Sequence, residues 1–171
     1  MPCIKLKPMR SLALALALLS AGPVVQVIGA AQAQTAAPFA GLSGKWAGDG
    51  SILLTNGQTE RLRCESTDAI SGGGSNLDMT LKCASDTYNF DLRVSLADTS
   101  GQILGNWNEV TKSVSGGISG ADSKGLLQLK VQGQAFSADV TVATRGNQQN
   151  VRIAAQSGNL SRVSITLRRR G

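Results

Sequence analysis

The side chains of this 171-residue sequence that could do chemistry are its carboxylates, cysteines and hydroxyls, because the sequence contains no histidine. Without histidine the chain lacks the commonest general base, the commonest activator of a serine or cysteine nucleophile and the commonest zinc ligand. The 11 acidic residues do not show the spacing of a calcium loop, and the glycine-rich segments lack the lysine of a phosphate-binding loop. The sequence therefore predicts a protein that is not an enzyme, with no catalytic residue, no metal site and no cofactor.

Two of the three cysteines, Cys64 and Cys83, are predicted to form a disulfide. They stand at equal distances from Gly73-Gly74, so a hairpin centred on these glycines places them directly opposite each other, both on its apolar face. Opposed residues of antiparallel strands have Cα atoms about 4.5–5.5 Å apart, a separation that a disulfide can span. The third cysteine, Cys3, lies in a segment that we expect to be removed.

Residues 1–33 are typical of a cleavable secretory signal peptide. Three basic residues precede an apolar run at residues 11–19, Pro23 breaks the helix, and an A-x-A motif ends at Ala33. We expect cleavage between Ala33 and Gln34 and a mature protein that is periplasmic or secreted, where a disulfide persists. The alternative is a membrane anchor, but glycine, proline and glutamine interrupt the second half of the segment. Removal of the segment lowers the formal net charge from +6 to +3, too little to predict binding to nucleic acid.

Nearly every segment of the mature chain alternates apolar and polar residues with a period of two, which predicts β-strands with one buried face. The clearest example begins at Tyr88 and ends at Leu96. Short turns separate the segments, so we expect residues 43–171 to form one all-β domain, an antiparallel up-and-down meander of eight to ten strands that closes into a barrel. A two-sheet β-sandwich is the alternative. The glycines at 72–74 and 116–117 are expected in turns that need a positive φ.

The tripeptide Gly44-Lys45-Trp46 resembles the G-x-W motif of calycin-type barrels, the lipocalins and their relatives. The resemblance implies that Trp46 plugs one end of the barrel and that a basic residue late in the last strand packs across it. Arg169 is in phase with the apolar residues of the last strand, unlike Arg168 and Arg170, so we expect its guanidinium to lie over the indole.

Two further resemblances concern whole proteins. The chain is similar to small exported bacterial inhibitors of metalloproteases, which are calycin-like barrels with a G-x-W start and one disulfide. That resemblance implies an inhibitory N-terminal arm, which only residues 34–40 (QTAAPFA) match, within a flexible arm expected at residues 34–42. The chain also resembles uncharacterised exported proteins of alphaproteobacteria through residues 60–64 (ERLRC) and 83–88 (CASDTY). This second resemblance implies no activity.

Several functions remain open for a barrel of this kind. The first is binding of a small apolar or amphipathic ligand, with Tyr88 and Trp107 as candidate ligand-binding residues, because a barrel of more than eight strands leaves a cavity. The second is interaction with an envelope protein, for example as an inhibitor of a protease or a wall enzyme. A small outer-membrane barrel is a further alternative, although it needs girdles of aromatic residues. We expect a monomer without stable membrane insertion. An unfilled interior and close packing of strands both explain the small residues of inward phase, Gly48, Gly50, Gly105, Ala138 and Ala155.

Overall fold

Ten antiparallel β-strands form one closed barrel in which neighbours in the sequence are neighbours in space. The last strand pairs with the first, so the barrel has no free edge. This confirms the all-β up-and-down barrel at the upper end of the expected strand number, and the two-sheet sandwich is wrong. The strands are β1 (Gly44–Leu54), β2 (Thr59–Ser71), β3 (Asn76–Ala84), β4 (Asn89–Thr99), β5 (Gln102–Glu109), β6 (Val114–Ser123), β7 (Leu126–Gly133), β8 (Ser137–Arg145), β9 (Gln148–Ala155) and β10 (Leu160–Arg169).

The computed structural model describes residues 37–171. The predicted signal peptide and its cleavage site between Ala33 and Gln34 lie outside these residues. Within residues 37–171, no helix is both long and apolar enough to cross a membrane.

Tight turns at one end of the barrel join strand pairs with little intervening chain. Ser100 and Gly101 between β4 and β5 both have positive φ, as a two-residue hairpin turn that matches strand twist requires. The amide of Gly101 donates to Asp98 Oδ1 at 3.0 Å.

The glycines at 72–74 also have positive φ, as expected. The expectation of a turn at 116–117 is wrong, because both glycines lie within β6 and Gly116 packs under a tryptophan.

The disulfide between Cys64 and Cys83 is confirmed. The two residues are direct partners in the register of β2 and β3, and their Cα atoms are 4.1 Å apart. Both side chains are buried on the inner face of the barrel. The covalent link therefore ties together two strands that are already paired by hydrogen bonds.

Inward-facing glycines on β1 and β5 allow neighbouring strands to approach closely. A Cβ atom at Gly48 or Gly50 would overlap a backbone carbonyl oxygen of β10, and one at Gly105 would overlap the carbonyl oxygen of Ser95 on β4. No side chain fits in these positions. Of the two explanations for these three inward-facing glycines, the structure therefore favours close packing of strands, and not an unfilled interior.

Trp46 and Arg169 meet at the end of the barrel where β1 begins and β10 ends. They are register partners, and the guanidinium carbon of Arg169 lies 4.2 Å from the centroid of the indole ring. The same guanidinium donates to the carbonyl oxygen of Gly41 at 2.7 Å and to that of Ser43. The contact expected from the G-x-W resemblance is thus present, and it also fixes the chain that precedes β1.

The segment before β1 closes this end of the barrel, which we call the plugged end. Phe39 is fully buried and its amide donates to the carbonyl oxygen of Gly74 at 3.2 Å. Leu42 is also buried, and its carbonyl oxygen accepts from Trp46 Nε1 at 2.8 Å. The flexible arm expected at residues 34–42 is therefore corrected for its described part, because burial of the Phe39 ring holds the segment against the barrel. The opposite end, formed by the turns β1–β2, β3–β4, β5–β6, β7–β8 and β9–β10, is called the mouth.

Loss of the disulfide should destabilise the mature chain. We expect Cys64→Ser to lower the free energy of unfolding by about 2–5 kcal/mol, because the crosslink restricts the unfolded chain and a buried thiol loses its partner. Urea titration measures the change, and denatured wild type should show no titratable thiol. A reducing agent should weaken the wild type by a similar amount and leave the variant unchanged. Two free thiols in the oxidised wild type would contradict the assignment.

Removal of the Arg169 side chain should open the plugged end. We expect Arg169→Ala to cost about 2–3 kcal/mol of unfolding free energy, since it removes a cation–π contact worth about 0.5–2 kcal/mol and hydrogen bonds to two backbone carbonyls. The exposed neighbour provides the control, because Arg168→Ala should change stability by less than about 0.5 kcal/mol. Equal effects of the two substitutions in urea titrations would refute the role given to Arg169.

Candidate functional site

The inner faces of the strands form two separate apolar clusters. The first cluster lies on β3–β7 and the plug, and the second lies on β1, β2, β3, β9 and β10. The strand β8 adds no large fully buried side chain to either. The first cluster comprises Phe39, Leu42, Leu77, Val94, Leu96, Ile103, Trp107, Ile118, Leu127 and Leu129. The second cluster comprises Trp46, Ile52, Leu62, Cys64, Leu81, Cys83, Val151, Val163, Ile165 and Leu167.

Four apolar side chains contact both clusters, and all four are only partly buried. Met79 and Leu92 stand on β3 and β4, and Val140 and Val142 stand on β8, across the barrel. Their register partners are buried residues, so these side chains point inward. These four residues keep part of their surface accessible, which marks the region between the two clusters as the candidate space for a ligand. We call this space, between the two clusters, the seam.

Trp107, one of the two candidate ligand-binding residues, is packed into the barrel wall. Its side chain is 6% exposed and its Nε1 donates to the carbonyl oxygen of Gln132 at 3.2 Å. A Cβ atom at Gly116 or Gly133 would overlap the indole, so the ring packs directly against the backbone of these two glycines. The ring of Phe136 meets it edge-on, with centroids 5.9 Å apart. The indole nitrogen therefore has a hydrogen-bond partner, and the ring is part of the first cluster.

Tyr88, the other candidate, lies at the mouth and packs against the second cluster. Its ring is half-buried, and Lys112 Nζ lies 4.8 Å from the ring centroid. The structure thus places Tyr88 and Trp107 in different clusters and does not bring them into one contact. They are separate parts of the wall around the seam.

Glu109 fixes the structure of the mouth. It is 5% exposed and accepts hydrogen bonds from the backbone amides of Asp91 and Lys112, at 3.0 and 2.6 Å, and from the hydroxyl of Thr111. Burial raises the pKa of Glu109, but these donors outweigh burial and hold the pKa below its usual value. The carboxylate is fully used in joining the β3–β4 and β5–β6 sides of the mouth.

A buried polar group lies inside the barrel towards the plugged end. Asp68, Ser66 and Gln149 are each no more than 4% exposed. The hydroxyl of Ser66 donates to Asp68 Oδ1, whereas Asp68 Oδ2 makes no hydrogen bond of good geometry among the described residues, with the amide of Gln149 nearby. Burial raises the pKa of Asp68 to about 6, although Ser66, the nearby amide of Gln149 and the charge of Arg169 favour the ionised form.

Thr144 provides a second unpartnered polar atom in the same region. It is the register partner of Gln149 across β8 and β9, and its Oγ1 is buried without a hydrogen bond. Asp68 and Thr144 both neighbour Gln149, and buried polar groups are normally satisfied. Sequence reasoning missed this pair. The available signal was the phase of β2, in which Asp68 follows Leu62 and Cys64 on the inner face.

The described part of the chain contains no candidate metal site. Within residues 37–171, no three side chains among aspartate, glutamate and cysteine come together as a metal site would require. The polar groups near the seam are a carboxylate, two hydroxyls and an amide, which are hydrogen-bonding groups and not a metal-ligand set.

The raised pKa of Asp68 should make stability depend on pH. Between its ordinary value of 3.8 and about 6 the carboxyl is protonated in the folded chain and ionised in the unfolded chain. Stability therefore falls as pH rises through this interval, by about 2–3 kcal/mol. Asp68→Asn should be more stable than wild type by about this amount at neutral pH and similar to it below pH 3.8.

Urea titrations across this pH range measure the difference between wild type and Asp68→Asn. The exposed Asp86 offers a matched control, since Asp86→Asn should leave the pH dependence unchanged. An Asp68→Asn variant that is destabilised equally at every pH would contradict the prediction.

Comparison with known proteins identifies the fold and no family. No family model matches the chain, and no curated protein matches it either. Among solved structures, the chain is similar to the Rv2717c protein of M. tuberculosis, with a TM-score of 0.62 and 13% identity over 77% of this chain and 94% of that one. It is also similar to the S-type phycobiliprotein lyase CPES of Guillardia theta, with a TM-score of 0.58 and 13% identity over 78% and 90% of the two chains.

At 13% identity these likenesses establish the fold alone. Both neighbours are calycin-like barrels, which confirms the architecture implied by the G-x-W motif. The resemblances to exported alphaproteobacterial proteins and to metalloprotease inhibitors gain no support from the comparisons and stay predictions.

Proposed function

We propose that this chain is an exported, non-catalytic binding protein that holds a small apolar or amphipathic molecule inside its barrel. The seam is the observation that carries the proposal. Inward apolar side chains on opposite walls keep accessible surface there, and such surface gains about 25 cal/mol for each Å² that a ligand covers.

The mouth is the natural entrance to the seam. Phe39 and Trp46 seal the opposite end, whereas the mouth ends in short turns. Tyr88 stands at the mouth with an apolar ring and a hydroxyl, and Lys112 covers one face of that ring. Hydrogen bonds that Glu109 accepts from the amides of Asp91 and Lys112 hold the adjacent turn in place, so the entrance is preorganised.

Two properties of the chain support export and the absence of catalysis. The buried disulfide Cys64–Cys83 suits an oxidising compartment outside the cytoplasm and uses both cysteines that follow the predicted signal peptide. With no histidine in the sequence, a nucleophile activated by histidine cannot be built. One structural neighbour is named as a phycobiliprotein lyase, so the non-catalytic role proposed here rests on this chain's own residues.

Interaction with another envelope protein is the second candidate function. A groove of about 560 Å³ crosses the outer surface of β1–β4 and is lined by charges of both signs, among them Arg63, Glu65 and Asp91. An inhibitory arm at residues 34–40 is less suited to this role, because Phe39 is buried. The small outer-membrane barrel is disfavoured, since the outer faces carry charged residues where lipid requires apolar ones.

Filling the seam should abolish binding. We expect native mass spectrometry of the mature protein, purified gently from its own host, to show one small-molecule adduct on the wild type. Val140→Phe places a ring in the seam and should remove the adduct. Gln128→Phe adds the same ring to the exposed outer face of the neighbouring strand and should retain it.

The outcome separates the two candidate functions. A wild type that carries no adduct and is recovered with a second protein would favour the interaction module. An adduct retained equally by Val140→Phe and Gln128→Phe would place the ligand outside the seam and refute the proposal.

A further inference from the structure

Building on the proposed function, we infer that the ligand carries a hydrogen-bond-donating head group, a hydroxyl or an amine, which Asp68 and Thr144 bind at the closed end of the seam. The apolar body of the ligand then lies between the two clusters. The unpartnered buried oxygens of these two side chains are the observation that points to the head group.

The two side chains lie beside residues that border the seam, and their unpartnered oxygens have almost no accessible surface. Met79 is the register partner of Asp68, and Val142 stands two residues from Thr144 on the same face of β8. Met79 and Val142 are two of the four side chains that border the seam. A molecule lying along the seam therefore ends beside Asp68 on one wall and Thr144 on the other.

The chemistry of the pair selects a donor. Asp68 Oδ2 is an acceptor when the carboxyl is ionised, and its Oδ1 is already engaged by Ser66. The Thr144 hydroxyl both donates and accepts, so it can accept from the head group or donate to it. A hydroxyl or an ammonium supplies the missing hydrogen bond to Oδ2, whereas an ether oxygen does not.

The same arrangement disfavours an acidic ligand. Arg169 is the cation whose charge acts on Asp68, and its guanidinium already donates to the carbonyl oxygens of Gly41 and Ser43. A carboxylate head group would thus meet the charge of Asp68 without gaining an ion pair. We expect a fatty acid to bind less tightly than the corresponding alcohol or amine.

Isothermal titration with four probes that each carry a ten-carbon chain tests the inference on the mature chain. The probes are decanol, decylamine, decyl methyl ether and decanoate. We expect decanol and decylamine to bind at least about tenfold more tightly than the ether, as one added hydrogen bond to a charged group allows, and decanoate to bind most weakly.

Variants assign the effect to the two side chains. Thr144→Val should weaken decanol and the ether to a similar extent, by up to about tenfold, because the oxygen of either probe accepts a hydrogen bond from the Thr144 hydroxyl. Asp68→Asn should weaken decylamine most and strengthen decanoate, because it removes the negative charge. Asp86→Asn, at an exposed site, should leave the order of the four probes unchanged. Loss of probe binding in Val140→Phe would show that the measured binding is in the seam.

The outcomes distinguish this inference from the function on which it rests. Binding of all four probes with equal affinity, lost in Val140→Phe but unaffected by Asp68→Asn and Thr144→Val, would overturn the head-group assignment and leave the binding function intact. Binding of no probe, or binding that Val140→Phe does not alter, would overturn both.

Discussion

Pairing of β10 with β1 is the interaction on which the rest of the structure depends. It closes the sheet, so each strand has a partner on both sides and the inner faces enclose a common interior. The closure needs Gly48 and Gly50, because side chains there would overlap carbonyl oxygens of β10. Arg169 completes it by covering Trp46 and binding the chain before β1. One strand pair thus controls both the wall and the plug.

Much of the fold could be predicted from the sequence because it depends on local rules. Alternation with a period of two fixes which side chains face inward, and the symmetric placement of Cys64 and Cys83 fixes the register of β2 with β3. The glycines at 116–117 were misassigned because the need for glycine at 116 comes from β7 and from Trp107, which are distant in the sequence. The packing of Phe39 likewise depends on the finished end of the barrel.

The candidate site was less predictable for the same reason. The inward phase of Asp68 could be read from β2, but its proximity to Gln149 and Thr144 exists only after β8 and β9 have been brought round by closure of the barrel. Tyr88 and Trp107 were selected by residue type, and the structure places them in different clusters. The alternation of the sequence shows which face of the sheet a side chain occupies. Closure of the barrel decides which residues of other strands lie across from it.

The seam follows from strand number and from the distribution of small residues. Ten strands enclose more space than the eight whose side chains just fill a barrel. The two clusters occupy opposite walls, and β8 brings only small side chains towards the space between them, namely Ala138, Val140, Val142 and Thr144. A protein selected for stability alone would fill that space with larger side chains and would not bury a carboxylate beside it. Under the proposed function, one amphipathic molecule would cover the apolar surface at the seam and supply the hydrogen bond that Asp68 lacks.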